Sequence, residues 1–146
     1  MAEVINDIII KSNERFSQIS ISFLKETVQD SIIKADLFHF TNIMNNLIDN
    51  AIKYSEGVIH ISIKLMNTAD GIEISVSDKG IGISKSNIEK VFETFYRVPT
   101  GNIHNVKGNG IGLSYVKKIV EAHNGWVRVK SKIGEGYTFV IYLPNE

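Results

Sequence analysis

A chain of 146 residues, 43% hydrophobic and 22% charged, fits one soluble globular domain and excludes a disordered chain. Sixteen Lys plus Arg balance sixteen Asp plus Glu, so net charge argues against a DNA track and leaves only room for a local small-anion spot. Without Cys there is no disulfide, thiolate nucleophile or zinc–thiolate site.

No apolar run nears the roughly 18 residues of a spanning helix, and Met1-Ala2-Glu3 does not open a signal peptide. We therefore expect an intracellular domain, cut from something longer. Val4, Ile5, Ile8, Ile9 and Phe16 recur at mostly helical spacing and predict an opening helix. Ile19, Ile21 and Phe23 alternate with Ser20, Ser22 and Leu24, the pattern of a short strand. Asp36 is placed to cap the next helix, in which Phe40, Ile43, Met44, Leu47, Ile48, Ala51 and Ile52 form an apolar stripe. Glu56-Gly57 is expected to end it.

Two alternating strands follow. Ile59, Ile61, Ile63 and Leu65 oppose His60, Ser62 and Lys64, and after a polar turn Ile72, Ile74 and Val76 oppose Glu73, Ser75 and Ser77. Residues 79–110 are rich in Gly and polar groups around one apolar island, Val91 to Tyr96. Leu113, Val116, Ile119 and Val120 predict a last helix, stopped at Asn124-Gly125. Val127 and Val129, then Phe139, Ile141 and Leu143, predict two closing strands joined by Gly134-Glu135-Gly136. One-sided strands need helices on only one face, so the fold class is α/β: a two-layer sandwich with a mixed, largely antiparallel sheet.

Three segments carry chemistry. Asp78 shares its parity with Ile72, Ile74 and Val76, so a strand that runs this far aims its carboxylate into the apolar layer. A strand that ends earlier leaves Asp78 as a turn cap instead. The glycines of Asp78-Lys79-Gly80-Ile81-Gly82 open the backbone beside it, a setting for a flat heterocycle bearing an amino group. Asn46, Asn50 and Lys53 fall within roughly 60° of one another on their helix. They suit a hydrated Mg²⁺ with its phosphates, although most such stripes are solvated helix faces. Gly108-Asn109-Gly110-Ile111-Gly112-Leu113 precedes the last helix, whose free N–H groups form an anion site, with Lys107 alongside. This loop is neither a P-loop nor a dinucleotide fingerprint, and alone it is a weak signal.

In this order the segments resemble the catalytic and ATP-binding domain of sensor histidine kinases, within the class that includes gyrase, Hsp90 and MutL. Asn46 to Tyr54 looks like the N box, Asp78 to Gly82 the first glycine box, and Phe92 to Arg97 the F box. Gly108 to Leu113 resembles the second glycine box, and Gly134-Glu135-Gly136 with Phe139 the last turn. The resemblance covers about residues 36–144 and implies the Bergerat ATP-binding fold, one domain over residues 1–146 and a lid over about 97–109. On this resemblance the dimerisation domain that carries the phosphoacceptor is expected to be absent from these residues, with the acceptor supplied in trans.

The resemblance also implies roles. Asp78 would accept from the adenine amino group, and Gly82 would let the base approach. Asn50, with Asn46 nearby, would hold Mg²⁺, Lys53 would meet phosphate or ribose, and Tyr54 would pack along the base. Gly110 and Gly112 would admit the triphosphate, and Gly80, Ile83, Arg97, Lys107, Gly108, Ile111, Leu113 and Thr138 complete the implied nucleotide contacts. Tyr137 stands where relatives often have Ser or Thr, and Lys79 where Asn is frequent. Phe92 and Phe95 read as packing under the lid.

Hydrolytic members of the class resemble one another in a Glu that activates water. Here that position is Asn46, whose amide takes no proton at neutral pH, and Asp49 lies about 60° away around the helix. The expected activity is transfer of the γ-phosphoryl group to a histidine of a separate dimerisation domain, which passes it on to a response regulator. The expected location is the cytoplasm, with the parent chain open to membrane anchoring. None of His39, His60, His104 and His123 precedes an acidic residue, as the family's acceptor does. They read as a helix-surface residue, a polar strand face, lid and a helix C-terminus. The alternative is a non-catalytic ATP/ADP sensor of the same fold, because these motifs report binding and not turnover.

Overall fold

The computed structural model describes residues 2–15, 19–26, 33, 35–53, 59–78, 112–132 and 136–145. Among the described residues three helices, α1 (Ala2–Arg15), α2 (Leu37–Lys53) and α3 (Gly112–Ala122), accompany five strands. The strands are β1 (Ile19–Glu26), β2 (Ile59–Asn67), β3 (Gly71–Asp78), β4 (Trp126–Lys132) and β5 (Gly136–Pro144), and they lie in the order β1-β2-β3-β5-β4. Only β1 and β2 run parallel, because α2 carries the chain back between them; every other pair is antiparallel.

Local chemistry sets the element ends. Asp36 Oδ1 accepts from the His39 N–H at 3.1 Å and its carbonyl from the Phe40 N–H at 2.9 Å, so Asp36 is the N-cap of α2 as its sequence position predicts. Thr68 closes the β2–β3 hairpin: its N–H donates to the Gly71 carbonyl at 2.9 Å, and its Oγ1 accepts from the Gly71 N–H at 3.0 Å. At the end of α3, Asn124 takes the left-handed φ of 61°. Its N–H donates to Glu121 O at 3.0 Å while Gly125 N–H donates to Val120 O at 2.9 Å, so the terminal carbonyls are satisfied. A Cβ at Gly125 would collide with the Tyr142 carbonyl of β5, so glycine is needed where the chain leaves α3 and crosses that strand.

Alternation divides the sheet. Ile61, Ile63 and Leu65 of β2, Ile72, Ile74 and Val76 of β3, and Phe139, Ile141 and Leu143 of β5 are buried on its inner face. Against them pack Phe40, Ile43, Met44, Leu47, Ile48 and Ala51 of α2, Val116 and Val120 of α3, and Ile5, Ile8 and Ile9 of α1, in one core. Burying such a side chain contributes about 1.5–3 kcal/mol, so this single layer dominates folding. The outer face carries hydroxyls and charges. Ser22 pairs with Ser62 at 3.3 Å and Ser77 with Thr138 at 2.9 Å, and toward the β4 edge Trp126 stacks on Tyr142 under the Arg128 guanidinium. Among the described residues no helix is long and apolar enough to cross a membrane.

Candidate functional site

The inner row of β3 ends in a carboxylate. Asp78 is the last residue of the strand, paired with Ile61 of β2, and only 5% exposed. The turn-cap alternative is thereby set aside: β3 runs far enough for parity to turn Asp78 into the apolar layer. Continuing the Ser77–Thr138 pairing by one residue sets Tyr137 of β5 beside it on the same face. Tyr137 is 3% exposed and meets the Phe139 ring edge-on at 5.0 Å. A buried carboxylate at the end of an apolar row suits a ligand that brings a hydrogen-bond donor to it.

α2 lies across the strands and supplies amides. Asn46 and Asn50 are half-buried, one turn apart, between the apolar stripe and the open side of the helix. Asn46 donates its Nδ2 to the Asn42 carbonyl at 2.9 Å, one turn back. A carbonyl can only be met by the amide's N–H side, which leaves Oδ1 as the ligating atom, and oxygen is what Mg²⁺ selects. Lys53 closes α2 through its backbone. Among the described residues no group of three His, Cys, Asp or Glu is gathered to cage a metal. A sparse set of amide oxygens fits an ion that keeps its waters and leans on phosphate oxygens.

α3 begins at Gly112, with Leu113 packed on the core and Ser114 buried behind it. The first N–H groups of any helix find no partner within the helix itself, which makes such an end its anion-favouring pole. Tyr54, Gly80, Gly82, Ile83, Arg97, Lys107, Gly108, Gly110 and Ile111 lie outside the described residues. So do Glu56-Gly57, Lys79, the F box, His104, the lid and Gly134-Glu135.

Thr138 lies away from its implied place. Alternation puts its hydroxyl on the outer face, bonded to Ser77, while Asp78 and Tyr137 face inward. The residue on Asp78's side is Tyr137. His39 also differs from a plain helix-surface residue: it is half-buried, and its Nδ1 lies 2.7 Å from Tyr115 Oη of α3. Its seven-residue spacing from Asn46 was the available signal, since that interval returns to the same helix face. His60 is exposed on the strand face, and His123 Nδ1 sits 2.7 Å from the Ile119 carbonyl at the end of α3, both as the sequence predicts.

Comparison with known proteins bears on the family and the fold. The family described as "Histidine kinase-, DNA gyrase B-, and HSP90-like ATPase" matches residues 35–146. The sensor protein RprX of Bacteroides fragilis is 45% identical over 143 residues, covering 97% of this chain and 27% of the relative. Among solved structures, a mycobacterial sensor histidine kinase, MprB, superposes with a TM-score of 0.84 at 27% identity, over 100% of this chain and 95% of that one. The catalytic domain of histidine kinase ThkA, in a nucleotide-free form, gives 0.80 at 25% identity, over 99% and 93%. This chain therefore spans about a quarter of the length of RprX.

Proposed function

Since the chain belongs to the histidine kinase-, DNA gyrase B- and HSP90-like ATPase family and has the fold of a histidine kinase catalytic domain, we propose a specific division of labour for it. It binds Mg-ATP between β3, α2 and α3 and delivers the γ-phosphoryl group to a histidine of its parent kinase's dimerisation domain. Asp78 carries the reading. Its buried carboxylate accepts from the adenine amino group, whereas guanine offers a carbonyl there and would leave two acceptors facing each other.

Asn46 and Asn50 hold the metal with their amide oxygens, and Mg²⁺ there would neutralise charge building on the phosphates. Lys53 and Lys107 add positive charge, and the first N–H groups of α3, reached past Gly110 and Gly112, take the phosphate oxygens. Gly82 lets the base approach, and Tyr54 lies along it. Gly80, Ile83, Arg97, Gly108, Ile111 and Leu113 line the remainder, under the lid of residues 97–109. In the transfer, a ring nitrogen of the acceptor histidine forms the new bond to the γ-phosphorus. The bond to the β–γ bridging oxygen breaks, and ADP departs.

Asn46 favours this outcome over hydrolysis. Its Nδ2 is committed to Asn42, and its oxygen is too weakly basic to draw a proton from water at neutral pH. The phosphohistidine would then serve a response regulator, and both ATP and that partner place the domain in the cytoplasm. Mixing the chain with Mg-ATP labelled in the γ-phosphate and a purified dimerisation domain of its parent tests this. Acid-labile label on the acceptor domain is expected. Bound nucleotide without transfer identifies a sensor, and steady phosphate release identifies a hydrolase.

A further inference from the structure

The two helices given the phosphate-gripping groups are joined by a side-chain hydrogen bond that none of the roles above uses. His39, the third residue of α2, places Nδ1 2.7 Å from the hydroxyl of Tyr115, the fourth residue of α3. The two rings lie 6.0 Å apart and tilted by 42°, and Phe38 meets the imidazole edge-on at 5.6 Å. The backbone N–H of His39 is itself held by the Asp36 cap. Both partners are half-buried, which limits competition from water.

Helical geometry connects this bond to the site. Seven residues separate His39 from Asn46 and eleven separate it from Asn50, so at about 100° per residue all three fall within roughly 40° on α2. The edge of α2 that carries the amides is therefore the edge that His39 ties to α3. On α3 the anchor lies one turn inside Gly112, next to the N–H groups assigned to phosphate. Asp78 stands on the sheet, outside this link.

We infer that His39 and Tyr115 are a positioning pair, which fixes the spacing between the amide edge of α2 and the first turn of α3. The inference rests on the nucleotide site proposed above and deepens it. Neither residue touches the ligand. The pair sets how well the phosphate tail is held and leaves recognition of the base alone. A gap that widens by even a fraction of an ångström separates the groups that must meet one triphosphate together. The bare nucleoside has no triphosphate to span that gap, so its binding depends far less on the spacing.

Chemical-shift titration of the chain with Mg-ATP and with adenosine separates these effects. Tyr115→Phe removes only the hydroxyl, and His39→Leu removes the ring nitrogen. Each should weaken Mg-ATP roughly three- to tenfold, the scale of one hydrogen bond, while adenosine binding stays within about twofold. His39→Asn, which returns a polar atom near the place of Nδ1, should recover most of the loss. A merely structural bond would lower the melting temperature and weaken both ligands equally, and that result overturns the inference. So does unchanged Mg-ATP binding in Tyr115→Phe. A parent chain that fails to bind Mg-ATP at all overturns the nucleotide site itself, and the first titration shows it.

Discussion

The two faces of β3 carry opposite chemistry within eight residues. Inward it presents Ile72, Ile74 and Val76, all buried, and then Asp78; outward it presents Glu73, Ser75 and Ser77. Alternation alone explains three of the four inward residues, because they complete the core. The fourth breaks the pattern without breaking the strand, and the fold tolerates a carboxylate there. A site of this kind is recognised as an exception to the rule that builds its surroundings.

The largest effect should come from the rule-abiding part of the inner row. Ile74 is fully buried, and Ile74→Ala should cost about 2–5 kcal/mol in a urea unfolding curve. Asp78→Asn, nearly identical in shape, should instead leave the fold standing and weaken ATP by about 1–3 kcal/mol, read by calorimetric titration. If the two substitutions were to act alike on stability, the contrast between core and site would be lost.

At the entrance to α2, Asp36→Ala should cost about 1 kcal/mol of stability through the lost cap, measured by thermal melting. The outer face should matter least. Thr138→Val breaks the bond to Ser77 and should cost about 0.5 kcal/mol, the low end for one hydrogen bond, with the ATP dissociation constant unchanged. A marked loss of ATP affinity in that variant would return Thr138 to the nucleotide and undo the assignment of faces.

Period and parity made most of this fold legible. The stripe of α2, the alternation of β2 and β3 and the Asp36 cap each rest on residues close in sequence, where pattern and geometry coincide. The sheet order did not follow from such patterns, since a β4–β5 hairpin satisfies its own pairing whichever strand it sets against β3. Thr138 was a missed use of a signal already present: its parity opposes that of Phe139 and Ile141. The His39–Tyr115 bond joins residues 76 apart, and no local pattern encodes a contact that only the packing of two helices creates. For the proposed site, the inward turn of Asp78 was readable from parity, whereas the packing of α2 against α3 is a property of the assembled layers.

The most direct test is the ratio of Mg-ATP to Mg-GTP affinity, measured by calorimetry in the parent chain and in Asp78→Asn. A buried carboxylate that reads the amino group predicts at least about a fivefold preference for ATP in the parent, and its collapse in the variant, whose amide offers a donor to guanine's carbonyl. Equal affinity for both nucleotides in the parent, or a preference that survives Asp78→Asn, would contradict it.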